Sequence, residues 1–297
     1  PGLTWQATAA AALDINAVPV LVDVTEDTWC IDPAKMEEAI TPRTRAIIPV
    51  HLYGSFADMD VIMPIAKKHD LWVIEDCAHK HGGQWKGKRA GSIGHIGCFS
   101  FFPSKNLGCY GDGGALFTND DELAHTLRGI VNHGMYRRYY HDVVGVNSRL
   151  DSLQAAVLRA KLPHLDRYCD RRRDAARYYN AVFRGHPELT VPKTMRGCEG
   201  ICDTCDCHVF HQYTLKVGGG RRDALADHLA ASEIPFGIYY PVTLHLQKAY
   251  ADERYRESDF RVTNQLCEEV ISLPMHTELD QEQLAYITRT ILDFMDR

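Results

Sequence analysis

The segment "FFPSKNLGCYGDGG", residues 101 to 114, sets a single lysine, Lys105, between phenylalanines and a cluster of glycines. A primary amine attacks an aldehyde only in its neutral form, so a lysine used this way needs shielding from water or neighbours that lower its pKa. Phe99, Phe101, Phe102 and Pro103 are placed to shield it, and the glycines that follow let backbone pass close to a bound group. Ser100, five residues earlier, offers a hydroxyl for a cofactor phosphate. Judged alone, a lysine near a sheet end is more often a surface residue.

Asp76 is the second candidate. It ends the apolar run "LWVIED", and ligands of open α/β sheets bind outside the carboxyl ends of the strands. A carboxylate there would hold the protonated ring nitrogen of pyridoxal phosphate and keep the ring an electron sink. The plain alternative is a helix cap or a surface acid. Its neighbour Glu75 reads as a structural pairing residue.

A third cluster, "CEGICDTCDCHVFH", holds Cys198, Cys202, Cys205 and Cys207 with His208 and His211. Its C-x3-C-x2-C-x-C spacing supplies enough ligands for a tetrahedral zinc or an iron–sulfur cluster, against reduced cysteines in a surface loop. A disulfide framework is disfavoured in a reducing compartment. The remaining six of the ten cysteines (Cys30, Cys77, Cys98, Cys109, Cys169 and Cys267) sit among apolar neighbours as small core residues do.

The elements that must position these residues follow from the hydrophobic pattern. The runs at 18 to 24, 45 to 50 and 71 to 76 are short, β-branched and almost wholly apolar, as strands covered on both faces are. Helical spacing at 33 to 40 and 59 to 70 alternates with them, which predicts a parallel α/β sheet. Further strands are expected at 95 to 102 and 113 to 119, a helix at 120 to 134, and one long helix from about Asp151 to Phe183. Beyond it the pattern predicts a strand at 209 to 217, a helix at 221 to 232, a strand near 270 and a last helix from Gln281. The expected architecture is a three-layer α/β/α large domain over 1–165 and a smaller α+β domain over 166–297.

Composition narrows the function classes. The 297 residues are 45% hydrophobic and 24% charged, enough for a substantial core. A net charge of -6 gives no general attraction for nucleic acid. No apolar stretch long enough for a membrane span occurs, and the opening "PGLTWQATAA" lacks the charged and apolar regions of a signal peptide, so a cytoplasmic protein is expected.

Several blocks together resemble the DegT-type sugar aminotransferases, fold-type I pyridoxal phosphate enzymes. These are "TWQAT" at 4 to 8, "PVLVDV" at 19 to 24, "VIEDCAHKHGG" at 73 to 83, "AGSIGHIGCFSFFPSKNLGCYGDGGALFTND" at 90 to 120, "GVNSRLDSLQAAVL" at 145 to 158, "YYPVTLHLQKAY" at 239 to 250 and "SLPMHTEL" at 272 to 279. They span nearly the whole chain in the family's order. The resemblance implies that Lys105 forms the imine with the cofactor and then shuttles the proton, that Asp76 binds the pyridine nitrogen, and that Ser100 binds the phosphate. It further implies that Trp5 stacks on the cofactor ring and that Asn147 reaches the phosphate of a neighbouring subunit's cofactor, so a homodimer is expected. The implied reaction moves an amino group from glutamate or glutamine to a keto sugar carried on a nucleotide.

Three positions depart from the family's pattern. The chain begins at "PGLTW", past the point where members carry a Gly-Thr or Gly-Ser phosphate loop, so the first helices of the large domain are expected to be missing. His79 stands where relatives mostly carry glutamine, near the cofactor's phenolic oxygen; because imidazole changes charge near neutral pH, a steeper pH dependence is expected. Tyr239, in "YYP" where "HYP" is common, is the expected substrate contact without a titratable ring, and His208 matches a histidine often found shortly before the strand at "QYTL". Dehydratases on this fold replace the lysine, so Lys105 favours transamination. Two other readings remain: amination of a keto-cyclitol, and a non-catalytic, metal-stabilised relative.

Overall fold

The computed structural model describes residues 1–193 and 207–297. Nine α-helices and eleven strands are found among them. The helices are α1 (Ala7–Leu13), α2 (Pro33–Glu38), α3 (Met59–Lys68), α4 (Asp121–Val131), α5 (Ser152–Lys161), α6 (Leu165–Phe183), α7 (Arg222–Ala231), α8 (Arg261–Glu269) and α9 (Gln281–Met295). The strands are β1 (Ala46–Ile47), β2 (Trp72–Asp76), β3 (Gln84–Trp85), β4 (Lys88–Arg89), β5 (Ile96–Ser100), β6 (Gly114–Phe117), β7 (Met135–Arg137), β8 (Tyr140–His141), β9 (Leu189–Thr190), β10 (Tyr213–Val217) and β11 (Val270–Leu273).

One four-stranded sheet has the order β1-β2-β5-β6. Its first two pairings are parallel and the last, β5 with β6, is antiparallel. The second sheet, β11-β10-β9, is antiparallel throughout. The strands expected from continuous apolar runs at 71 to 76 and 95 to 102 form as β2 and β5. The run at 18 to 24 does not become a strand: only Val24 is bridged, to Ile31, and Val18 and Val20 are exposed. Its backbone is held instead by Tyr255, whose hydroxyl accepts from Leu21 N at 2.9 Å and donates to Pro19 O at 3.0 Å.

Helix starts follow their capping residues. Asp32 accepts from Ala34 N ahead of Pro33 in α2, Asp120 accepts from Leu123 N in α4, and Asp280 and Gln283 form a reciprocal box at α9. The long helix expected over 151 to 183 is broken into α5 and α6 by a 3-10 turn, Leu162–His164, centred on Pro163. Proline supplies no N–H to continue an α-helical ladder, which accounts for the break.

Two cores result. One joins Ile47, Val50, Met59, Ile62 and Val73 to Val262 and Leu266 of α8, and the other packs Tyr179 and Phe183 of α6 against Tyr213, Leu215, Leu225 and Ile291. Helix α8, from the second half of the chain, thus completes the core of the first. Asp23 anchors it, accepting from Val262 N, Thr263 N and Thr263 Oγ1 at 2.7 to 2.9 Å. No helix among the described residues is long and apolar enough to cross a membrane.

Candidate active site

Parallel pairing of Asp76 with Cys98 sets the ends of β2 and β5 side by side, so Asp76 and Ser100 leave the sheet at one edge. Lys105 follows in a turn whose N–H donates to Phe102 O at 2.9 Å. Glycine is required at 108, because a Cβ there would lie 2.4 Å from Pro103 O. Lys105 is half-buried; loss of water pushes its amine down to about 8, against the opposing pull of the Asp76 carboxylate. Such a value leaves roughly a tenth of the amine neutral at pH 7, about three hundred times the neutral fraction of an ordinary lysine.

Asp76 carries one donor on each oxygen. Thr8 Oγ1 in α1 donates to Oδ2 at 2.8 Å and Ala78 N to Oδ1 at 3.1 Å. Thr4 Oγ1 stands 3.1 Å behind Thr8, so the stretch "TWQAT" places two hydroxyls in line with the carboxylate. Neither threonine is singled out by residue type; the i, i+4 spacing in a short helical turn was the available signal. Trp5, between them in sequence, is 58% exposed, its ring 6.0 Å from that of Tyr240. Burial raises the Tyr240 phenol's pKa, and the charge of Asp76 adds to it.

Glu75 points to the other face of β2 and is wholly buried. It accepts from Gly91 N, Ile93 N, Gly94 N and His51 Nε2 at 2.6 to 3.0 Å. Burial alone would raise its pKa; the bonds from His51 and the glycine amides outweigh that and hold it below the usual carboxylate value. His51, Glu75 and Cys77 lie close enough to suggest a metal site. However, His51 Nδ1 already accepts from Ala57 N at 3.1 Å and its Nε2 faces Glu75, so neither imidazole nitrogen is left for a metal. Glu75 is the structural pairing residue that was expected.

His79 is buried at the same edge, and its Nδ1 accepts from Tyr53 N at 3.2 Å. Burial, with the charge of Lys105, pushes its pKa well below 6.5. The ring therefore stays neutral around neutral pH, and the steep pH dependence expected of a histidine here is not supported. His81, next but one in sequence, is driven to about 3 by burial and Lys105, which outweigh a backbone hydrogen bond at Ser100 that raises it.

In the second half the histidine near the site is His211, named in the sequence only beside the cysteine cluster, rather than His208. His208 is buried, but its Nδ1 accepts from Phe210 N, its ring stacks on Phe210, and the charges it feels after burial are those of Lys80 and Arg173. His211 is the histidine brought within the field of Lys105. The difference follows from position: His211 is two residues before β10, where Arg172 holds the carbonyls of Phe210 and His211 at 3.1 and 3.2 Å. Asn106, directly after Lys105, is buried and bridges to Val209 O and His211.

The other expected residues are more peripheral. Tyr239 is partly exposed at the rim, with its carbonyl accepting from Tyr53 Oη and its ring 6.1 Å from that of Tyr240. Asn147 is exposed, on a segment bridged to Asn132. Of the expected metal ligands, Cys198, Cys202 and Cys205 lie outside the described residues. Cys207 is buried and disulfide-bonded, so its sulfur is not a free thiolate and a structural zinc on this set is not supported. The six cysteines expected as core residues are free thiols, five buried and Cys98 half-buried.

The donor set suits pyridoxal phosphate. A carboxylate at the end of β2, a hydroxyl at the end of the adjacent β5 and a depressed amine in the field of that carboxylate match a ring nitrogen, a phosphate and an aldehyde, and Trp5 offers an exposed indole. When bound, that cofactor would supply an aldehyde and an electron-withdrawing ring.

Comparison with known proteins agrees with this chemistry. The chain is 49% identical, over 98% of its length and 75% of the relative's, to UDP-N-acetyl-3-dehydro-alpha-D-glucosamine 3-aminotransferase of Acidithiobacillus ferrooxidans. Its fold superposes on S. venezuelae DesV in complex with a ketimine intermediate with a TM-score of 0.94 and 41% identity, covering 100% of this chain and 77% of that one. NtdA from Bacillus subtilis with bound cofactor PMP gives a TM-score of 0.89 at 29% identity, over 100% of this chain and 67% of that one. Residues 1–292 match a single family model, and with relatives this close the chain belongs to the DegT/DnrJ/EryC1/StrS aminotransferase family.

Proposed function

We propose that this enzyme transfers an amino group from glutamate or glutamine to a keto sugar carried on a nucleotide, using pyridoxal phosphate. The observation that carries the reading is the Lys105 amine, brought down to about 8 by burial at the edge where Asp76 and Ser100 emerge. Lys105 is the nucleophile and afterwards the acid and base that moves the proton at the substrate carbon. Asp76, fixed by Thr8 and Ala78 N, pairs with the cofactor's ring nitrogen. Ser100 holds the phosphate, Trp5 lies against the ring, and His79 donates near the phenolic oxygen. Tyr239 contacts the sugar at the rim. Exposed Asn147 reaches the site of a second copy, which makes the working unit a homodimer. The substrate class rests on the relative that acts on a UDP-linked sugar.

Visible absorbance of the protein with pyridoxal phosphate, before and after glutamate, tests the first half. A band that requires Lys105 and bleaches with glutamate is expected; its absence in the wild type, with the Lys105→Ala variant as baseline, would refute the reading. Parallel initial-velocity lines with a nucleotide-linked keto sugar are expected for the complete cycle, and greater efficiency with inosose would move the assignment to a cyclitol.

A further inference from the structure

Lys80 follows β2 in the stretch that carries His79 and His81, and it is wholly buried. Its Nζ donates to two backbone carbonyls: Gly54 O, 26 residues away, and Cys207 O, 127 residues away. The centre of the Phe56 ring lies 4.0 Å from the nitrogen, and Phe56 packs in one cluster with Cys207. A carbonyl oxygen only accepts, so two of them converging in a buried place need a donor between them. A lysine side chain carries at least two N–H groups in either protonation state and meets both.

The two carbonyls belong to segments that are also laced together by backbone. Val209 N donates to Gly54 O at 3.0 Å, and Gln212 N to Tyr53 O at 3.2 Å. Gly54 has a φ of 103°, and a Cβ there would stand 2.9 Å from the backbone nitrogens of both Phe210 and His211, so this approach needs glycine. Two hydrogen-bonded paths lead from the joint to the candidate active site. Tyr53 N donates to His79 Nδ1 at 3.2 Å, and Tyr53 Oη to the Tyr239 carbonyl at the rim. Val209 O accepts from Asn106 Nδ2 at 3.1 Å, and Asn106 is the residue after Lys105.

We propose that Lys80 is a positioning residue for transamination. By holding Gly54 O and Cys207 O together it locks the segment before β10 to the turn at 52–54, and through Asn106 and Tyr53 it fixes Lys105 and the His79 ring. It acts without touching cofactor or substrate. What Lys80 positions rests on the aminotransferase reading above; the tie between the three segments does not.

The tie is tested first without ligand, on the full chain labelled at the lysine Nζ. Hydrogens held between two buried carbonyls exchange slowly with water, so one lysine Nζ–H signal should persist at neutral pH while those of exposed lysines are lost to exchange. Phe56→Leu removes the ring but leaves both carbonyls, so it should move that signal without abolishing it. Absence of a persistent signal overturns the tie. Lys80→Met keeps the buried stem and removes the donor; with folding confirmed by circular dichroism, the side-chain amide signals of Asn106, assigned with Asn106→Leu, should shift. Lys80→Gln, one atom shorter but still a donor, should shift them less, and it carries the same readouts if the methionine variant does not fold. Unmoved Asn106 signals, or equal shifts in the two variants, overturn the positioning role.

The reaction supplies the second readout. At saturating glutamate the Lys105-dependent visible band should bleach about tenfold more slowly in Lys80→Met, because misplacing a reacting group slows the chemical step. The half-saturating glutamate concentration should stay within about twofold, since the tie acts on the chemical step rather than on binding. Phe56→Leu should bleach at the wild-type rate. A Lys80→Met protein with a smaller band but an unchanged rate would show a loss of stability alone, and an equal slowing in Phe56→Leu would show general packing; either result overturns the proposal. If the wild type forms no band, the aminotransferase reading fails, while the tie and its hold on Asn106 are still decided by the ligand-free spectra.

Discussion

Thr8 Oγ1 donates a 2.8 Å hydrogen bond to Asp76 Oδ2, tying α1 to the carboxyl end of β2 across 68 residues of sequence. A hydrogen bond to an ionised group contributes about 1.5–3 kcal/mol, and this one is only partly buried, so the lower end applies. Thr8→Val keeps the shape and removes the donor. The expected result is roughly tenfold weaker binding of pyridoxal phosphate, read by absorbance titration, with the fold intact. Unchanged affinity would mean that Asp76 needs no help from α1.

The buried histidines make stability sensitive to acid. Burial, first of all, sets the pKa values of His79, His208 and His211 well below 6.5 and that of His81 at about 3. As pH falls through about 6.5 the unfolded chain takes up protons on these rings and the folded chain does not, so stability drops. The urea midpoint should fall between about pH 7.5 and pH 5, and His79→Gln should lessen the slope. The same neutrality predicts that His79→Gln leaves the shape of the rate profile between about pH 6 and pH 8 unaltered.

Glu75 titrates in the opposite sense. Its folded pKa is depressed, so its contribution is present above its unfolded pKa and is lost as pH falls through the folded value. Glu75→Gln points an NH2 group at atoms that are themselves donors: three backbone amides and His51 Nε2. A loss of about 3 kcal/mol is expected at neutral pH, shrinking in acid. A loss that is the same at every pH would show packing rather than charge to be its origin.

Lys80 is fully buried, its Nζ donating to Gly54 O and Cys207 O and standing 4.0 Å from the centre of the Phe56 ring. Burial depresses its pKa well below 10.5. Between the folded value and 10.5 the unfolded chain binds the proton more, so stability rises with pH across that window and is lost toward lower pH. Lys80→Met should flatten the pH dependence of Tm between neutral and about pH 9. Parallel curves for the two proteins would show that the amine stays charged inside.

The chemistry-bearing residues with strong local context were legible in the sequence. β2 and β5 form within the short, mostly apolar runs at 71 to 76 and 95 to 102, so Asp76 could be placed at a strand end beforehand, whereas Ser100 was expected inside a strand that in fact ends on it. Lys105 was marked by the aromatic residues before it and the glycines after it. Helices α2, α3, α4, α7 and α9 were likewise readable from capping residues and periodicity.

Long-range partners were not legible. The apolar run at 18 to 24 looks like a strand, but Tyr255, more than two hundred residues away, takes its backbone groups. His208 and His211 are three residues apart and equally plausible in sequence; only the Asn106 amide and the Arg172 guanidinium, pinning the turn before β10, put His211 beside His79. The sequence by itself determined which groups can do chemistry and which strands carry them, because apolar periodicity and backbone preferences act over a few residues. Tertiary structure alone decided their protonation, since that depends on burial and on charges and hydrogen-bond donors delivered from distant parts of the chain.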